Sequence, residues 1–225
     1  MNQTVIENRK KISSACASCF TALEKYAEAC NAFKAEKERI STLLYIEEEK
    51  ERMVNKAAEN LRTAAEAQYT EISRNLEDIK AASEEMAGIL DIGEEFQNTL
   101  SVIKTIGHDL PVEARFSLVS PFKGQKQVLE ILQAAYSAAG LDTEPYFKGL
   151  IFDPKSRMDG LAESAYRIVL QPSDSLLSAA AFARSLEAFA DDTGAELPSR
   201  FNDLTDLSSI YMDAVYAAAG ITPAK

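Results

Sequence analysis

The chain has 225 residues, of which 46% are hydrophobic and 26% charged, with 3 cysteines, 1 histidine and no tryptophan. This composition excludes collagen-like, disulfide-stapled and fully disordered proteins. The formal net charge of −11 argues against nucleic acid and anionic membrane surfaces as partners, because both are themselves negatively charged. The length allows one large domain or two small ones.

The N-terminal residues indicate where the protein is located. Charged side chains at Glu7, Arg9, Lys10 and Lys11 occupy the region where a signal peptide would need an apolar run. No apolar stretch approaches the roughly 18 residues that a spanning helix requires. An odd number of cysteines without an export signal is typical of reduced thiols. The sequence therefore predicts a cytoplasmic protein without a membrane partner, with a virion or procapsid as the alternative location.

Residues 1–87 contain neither glycine nor proline and are rich in the best helix formers. Apolar side chains recur there at alternating steps of four and three, the a/d pattern of a coiled coil. After residue 65 the register shifts by four residues, which a continuous helix absorbs by local unwinding. The pattern predicts a coiled-coil-like helical arm over residues 1–92, with a self-association seam formed by Ile12, Cys16, Cys19, Leu23, Tyr26, Cys30, Phe33, Ile40, Leu44, Val54, Leu61, Tyr69, Ile72, Leu76, Ile79, Met86 and Leu90.

Two carboxylates interrupt this seam. Glu47 and Glu51 stand where apolar side chains belong, and burying them unpaired would be costly. The seam therefore opens there, or the chain turns back into an antiparallel hairpin, which the similar lengths of residues 12–44 and 54–90 allow. Because residues 45–52 contain no Gly, Pro, Asn or Asp, the sequence favours the continuous rod and leaves the hairpin open.

All seven prolines lie in the second half, which is punctuated by turn residues. Ser120-Pro121 is the expected N-cap and first residue of a helix that stops at Gly140-Leu141. Further helices are expected over residues 154–170, over 174–191 after a Ser173 cap, and from Asp203 or Thr205 to Gly220. A short helix is also expected around residues 145–151.

The only strand candidate is residues 114–119, and one strand makes no sheet. The predicted fold class is therefore all-α. Its expected parts are the arm over 1–92, a hinge or connecting helix over 93–110, and a compact multi-helix domain over 111–225.

Cys16 and Cys19 have the C-x-x-C spacing of half a zinc site or of a redox pair. The chain offers no second pair, and Cys30 is the only other cysteine. Because all three cysteines occupy seam positions, where Cys behaves as a small hydrophobe, we interpret them as packing residues.

The other polar candidates are weaker. His108 beside Asp109 is interpreted as a solvated connection, and the acidic run at residues 47–51 as a solvated surface that lacks the glycine of a calcium loop. Lys123, Gly124 and Lys126 follow the expected Ser120 cap and form a weak candidate for an anion site. The sequence therefore predicts no catalytic residue, no cofactor and no metal.

These observations predict a non-enzymatic, oligomeric structural or assembly protein. It would be a scaffold or organiser, of a viral or another large assembly, that self-associates through the arm and contacts another protein through the C-terminal domain. The alternative is a sequestering or inhibitory module whose C-terminal domain binds a small anionic ligand or a protein target.

Overall fold

A computed structural model describes residues 2–170, 172 and 176–197. These residues form eight α-helices and no strand, so the all-α prediction is confirmed for them. The helices are α1 (Gln3–Ser41), α2 (Glu47–Ala87), α3 (Glu94–Ile106), α4 (Val112–Val119), α5 (Lys126–Ala138), α6 (Glu144–Phe147), α7 (Pro154–Leu170) and α8 (Leu177–Thr193). Single 3-10 turns at Gly107–Asp109 and Ser120–Phe122 precede and follow α4. In this part of the chain, no helix is both long and apolar enough to cross a membrane.

The continuous rod favoured by the sequence is wrong, because α1 and α2 are separate helices. The thiol of Cys19 donates to the carbonyl oxygen of Ile72, 3.9 Å away. These two residues lie nearly the same number of positions before and after the break, as an antiparallel hairpin requires. The break lies between Ser41 and Glu47, so it places the first of the two seam carboxylates at an exposed helix start instead of in a buried contact.

The turn between α1 and α2 forms without glycine or proline, because polar groups close it on both sides. The hydroxyls of Ser41 and Thr42 donate to carbonyl oxygens in the last turn of α1, at 2.6 and 2.8 Å. The carbonyl of Ile46 accepts from the amides of Glu49 and Lys50, at 3.1 and 3.2 Å. The first turn of α2 carries three glutamates, whose charge is stabilised by the positive end of the helix dipole.

Two expectations in the second half also fail. Ser120 caps no α-helix, because residues 120–122 form a 3-10 turn and α5 begins only at Lys126. Gly124 lies between them with φ +82°, a conformation that interrupts a right-handed helix. The strand candidate at residues 114–119 lies within α4.

Other helix boundaries agree with the sequence. The amide of Leu141 donates to the carbonyl of Tyr136 at 3.0 Å, as the predicted Gly140-Leu141 stop requires. α7 covers the predicted residues 154–170, and α6 with the turn after it covers the predicted short helix. α8 ends beside Gly194, while the proposed Ser173 cap and the expected helix after residue 203 lie outside the described residues.

The described chain divides into two compact units. The first unit contains residues 2–15, 77–159 and 188–197, and the second contains 16–76 and the described residues within 160–187. The predicted division at 92 and 110 concerns which fragments fold alone, so it stays a prediction. The first unit has a buried cluster formed by Phe96, Ile103, Val119, Phe122, Val128, Leu129, Leu132, Tyr136, Leu141, Tyr146 and Phe147.

The core of the second unit combines the hairpin with parts of α7 and α8. Its buried side chains include Phe20, Leu23 and Tyr26 from α1, Ile72 and Leu76 from α2, and others from the last two helices, namely Leu161, Ala165, Ile168, Phe182 and Leu186. A single helix face that buries Phe, Leu and Tyr together is wider than a two-stranded coiled coil needs.

Candidate functional site

The predicted seam is largely a core within one chain. Its buried members are Ile12, Cys16, Cys19, Leu23, Tyr26, Cys30, Ile40, Leu61, Ile72, Leu76, Ile79 and Met86. Phe33, Val54 and Tyr69 are half-buried, whereas Leu44 and Leu90 are exposed. A role of this seam in self-association stays a prediction.

The most exposed apolar run in the described chain is the turn between α1 and α2. Leu44 is fully exposed there, and Tyr45 and Ile46 are 55% and 71% exposed. We call these three residues the hairpin tip. Single exposed apolar side chains are ordinary on a protein surface, but three in succession on a hydrogen-bonded turn form a patch of the kind that contacts partners.

The charges next to the hairpin tip are organised by short ion pairs within each helix. Glu36 and Arg39 lie 2.6 Å apart near the end of α1, and Glu49 and Arg52 lie 2.7 Å apart in α2. The hydrogen bond from Arg39 lowers the pKa of the Glu36 carboxyl. Glu48 is exposed and enters no ion pair shown for the described residues, so the surface beside the tip is acidic on its α2 side.

The three cysteines are buried and form no disulfide bond. Burial raises the pKa of Cys19 to about 12 and raises that of Cys16 further. Because the thiolate is the form that attacks disulfides and binds metals, neither residue is prepared for redox or zinc chemistry. This agrees with their interpretation as packing residues.

We expect none of the three thiols to react with a small alkylating reagent at pH 8 in the folded protein, and all three to react after denaturation. The physical reason is that burial blocks access and disfavours the thiolate. The measurement is the mass of the chain after timed labelling with iodoacetamide, and a Leu44→Cys variant supplies an exposed thiol as the control. Labelling of Cys16 or Cys19 as fast as the introduced thiol would refute the packing interpretation.

The remaining polar candidates from the sequence are dispersed. His108 Nε2 lies 3.3 Å from the carboxylate of Asp109, and both side chains are exposed. Lys123 Nζ lies 2.8 Å from Asp191 Oδ1, while Gly124 is buried and Lys126 is half-buried. The Lys123 ammonium thus already has a carboxylate partner, and anion binding at Lys123, Gly124 and Lys126 stays a prediction.

A half-buried arginine is the polar feature that sequence reasoning missed. Arg9 of α1 donates from Nη2 to the carbonyl oxygens of Pro121 and Lys123, both at 2.8 Å, and from Nε to the carbonyl of Thr193 at 3.2 Å. Burial lowers the pKa of its guanidinium, although the nearby Glu95 carboxylate acts in the opposite direction. In the sequence, Arg9 is only one of three adjacent basic residues, and its partners are more than 100 positions away.

Arg9 also explains why glycine is needed at position 194, directly after α8. Gly194 has φ +70°, and a Cβ atom there would lie 3.0 Å from Cζ of Arg9. The guanidinium therefore lies directly against this glycine. The arginine supports the loop that carries Lys123 and the end of α8 that carries Asp191, so its role is structural.

Comparison with known proteins adds no assignment. No protein-family model, curated protein sequence or solved structure matches this chain. Among the described residues, no three His, Cys, Asp or Glu side chains are grouped so that they could hold a metal ion. The candidate functional site is therefore the hairpin tip with the charged residues beside it.

Proposed function

We propose that this chain is a non-enzymatic assembly protein whose α1–α2 hairpin contacts a partner protein through its tip. The observation that carries the proposal is the exposure of Leu44, Tyr45 and Ile46 in succession. Exposed apolar surface costs free energy in water, and covering it by a partner recovers that cost. Tyrosine is also among the residues that contribute most to binding at protein interfaces.

The backbone of the turn supports a role in recognition. Hydrogen bonds fix the end of α1 and the start of α2 on either side of the tip. A contact that is already ordered loses less conformational entropy on binding than a flexible loop does. The apolar side chains are therefore presented in a form suited to a specific contact.

The neighbouring charges indicate what the partner's surface is like. Glu47 and Glu48 follow the tip directly and are exposed, and the whole chain is acidic. A complementary surface would be an apolar depression with Lys or Arg at its edge. The acidic edge opposes insertion of the tip into an anionic membrane, for which basic residues would be needed.

Self-association through the predicted seam would require a larger structural change than a contact at the tip. The seam residues of α1 and α2 are already buried within one chain, so a seam dimer would require two hairpins to open and exchange helices. A contact at the tip requires no such opening. For this reason we propose the tip, instead of the seam, as the assembly contact.

The test replaces Leu44, Tyr45 and Ile46 together by serine in the full chain. We expect the variant to keep its helix content and its unfolding temperature, because these side chains are exposed. We expect the unaltered chain to elute in a high-mass complex from extracts of its own cells and the variant to elute outside it, measured by size-exclusion chromatography with detection of the tagged protein.

A matched control replaces Leu90 and Ile92, which are also apolar and exposed but lie between α2 and α3, by serine. This variant should keep the complex. A photo-reactive residue at position 45 should also crosslink within an apolar, basic-edged surface of the partner. Retention of the complex by the triple-serine variant, or crosslinks to an acidic surface, would contradict the proposal.

A further inference from the structure

The first unit contains a cavity that the proposed function does not use. It encloses about 380 Å³ and is lined by α4 and the turn after it, by residues 145–150, and by the end of α8. Small-molecule sites have volumes of roughly 300–1,000 Å³. The cavity is therefore large enough for a ligand of about a dozen non-hydrogen atoms.

Part of the cavity lining is apolar and aromatic. Val119 and Tyr146 are buried side chains that line it. Phe116 also lines it and stays 50% exposed, with its ring edge-on to Tyr146 at a centroid distance of 4.9 Å. A half-exposed phenylalanine at a concave surface is stabilised when a second apolar group covers it.

The cavity lining also carries both signs of charge, on different elements. Asp191 and Asp192 line it at the end of α8, and Lys148 lines it from the segment after α6. Asp192 is paired with Arg157 at 2.6 Å and has an exposed fraction of only 20%, so it is not offered to a ligand. Asp191 is paired with Lys123 at 2.8 Å, but its side chain stays 77% exposed, so its carboxylate can also accept a hydrogen bond from the ammonium group of a ligand.

Lys148, which also lines the cavity, is available to a ligand. Its ammonium lies 2.8 Å from the carboxylate of Glu144, but both side chains are more than 70% exposed. An exposed ion pair of this kind contributes little to stability, so Lys148 can exchange Glu144 for a ligand carboxylate at little cost.

We propose that this cavity binds a small zwitterion with an aromatic or large apolar side chain, that is, a free amino acid of the phenylalanine type. Its ammonium group would pair with Asp191, its carboxylate with Lys148, and its side chain would cover Phe116. This site lies in a different unit from the hairpin tip and does not depend on the proposed function.

The experiment titrates the full chain with L-phenylalanine and follows binding by calorimetry. Two analogues, 2-phenylethylamine and 3-phenylpropanoate, keep the ring but carry only one of the two charges, and glycine keeps the charges without the ring. We expect saturable binding of L-phenylalanine and binding about tenfold weaker or absent for each analogue, because one charge-assisted hydrogen bond or the ring contact is lost.

Three variants locate the site, namely Asp191→Asn, Lys148→Gln and Phe116→Ser. Each should weaken L-phenylalanine binding by about tenfold, while Asp159→Asn and Lys155→Gln, which change exposed residues of α7, should not. Thermal unfolding of each variant without ligand checks that it is folded, and Phe116→Ser keeps the test usable if Asp191→Asn is unstable.

Three results would overturn the proposal. The first is the absence of saturable binding of L-phenylalanine. The second is equal affinity for a singly charged analogue, which would remove the requirement for a zwitterion. The third is unchanged affinity in folded Lys148→Gln and Phe116→Ser, which would place the binding elsewhere. None of these outcomes bears on the complex tested with the hairpin tip.

Discussion

Replacing Leu23 by Asp is expected to unfold the second unit, whereas the same change at Leu44 is expected to leave its stability nearly unchanged. Both residues occupy a/d positions of the same register in the sequence. Leu23 is fully buried and Leu44 is fully exposed. An unpaired carboxylate at position 23 costs about 4 kcal/mol or more, a large fraction of the roughly 5–15 kcal/mol by which a typical domain is stable.

The measurement for this pair is urea unfolding followed by circular dichroism at neutral pH. Leu23→Asp should show no cooperative transition, or one at a much lower urea concentration, and Leu44→Asp should match the unaltered chain within about 0.5 kcal/mol. Equal losses in both variants would mean that position 44 is also buried, as in the continuous rod.

The helical character of the first half could be predicted because it depends on local spacing. Side chains three and four positions apart lie on one face of a helix, so the positions of Cys16, Leu23 and Ile72 on the buried face follow from the sequence alone. The same holds for the helix stop at Gly140-Leu141, which is encoded in two adjacent residues.

The turn between α1 and α2 could not be predicted with the rules for turn residues. It uses hydroxyls of Ser41 and Thr42 and a run of glutamates instead of glycine or proline. The choice between rod and hairpin depends on the packing energy of residues such as 19 and 72, which are far apart in the sequence. Local sequence patterns do not report this energy. The exposure of the hairpin tip follows from the hairpin, so it could not be predicted from the sequence either.

The conformation of the loop before α5 could not be predicted from the sequence, because it depends on distant residues. Ser120-Pro121 has a good helix-start pattern, but Gly124 at φ +82° ends the 3-10 turn. A Cβ at Gly124 would lie 2.2 Å from Cε of Met86, so the loop is also shaped by close packing against α2. No local pattern reports contacts of this kind.

The second large effect is expected from Arg9→Met. Methionine keeps much of the apolar volume but removes the donors that three backbone carbonyls use, those of Pro121, Lys123 and Thr193. Losing hydrogen bonds from a charged donor to partly buried acceptors is expected to lower the free energy of unfolding by about 3 kcal/mol. The control is Arg62→Met, whose exposed guanidinium pairs with Glu66 and should change stability by less than about 0.5 kcal/mol.

A double-mutant cycle with Gly194→Ala tests whether the guanidinium of Arg9 lies against the end of α8. In the Gly194→Ala variant that keeps Arg9, the new Cβ lies 3.0 Å from Cζ of Arg9, and alanine at φ +70° strains the backbone. Together these effects lower the free energy of unfolding by about 2 kcal/mol. With methionine at position 9 the steric part is relieved and only the backbone strain remains. We therefore expect the double variant to be more stable than the sum of the two single losses predicts, by about 1 kcal/mol. Strict additivity would show that the guanidinium does not lie against Gly194. An Arg9→Met loss no larger than that of Arg62→Met would show that its hydrogen bonds do not hold the loop and the end of α8 together.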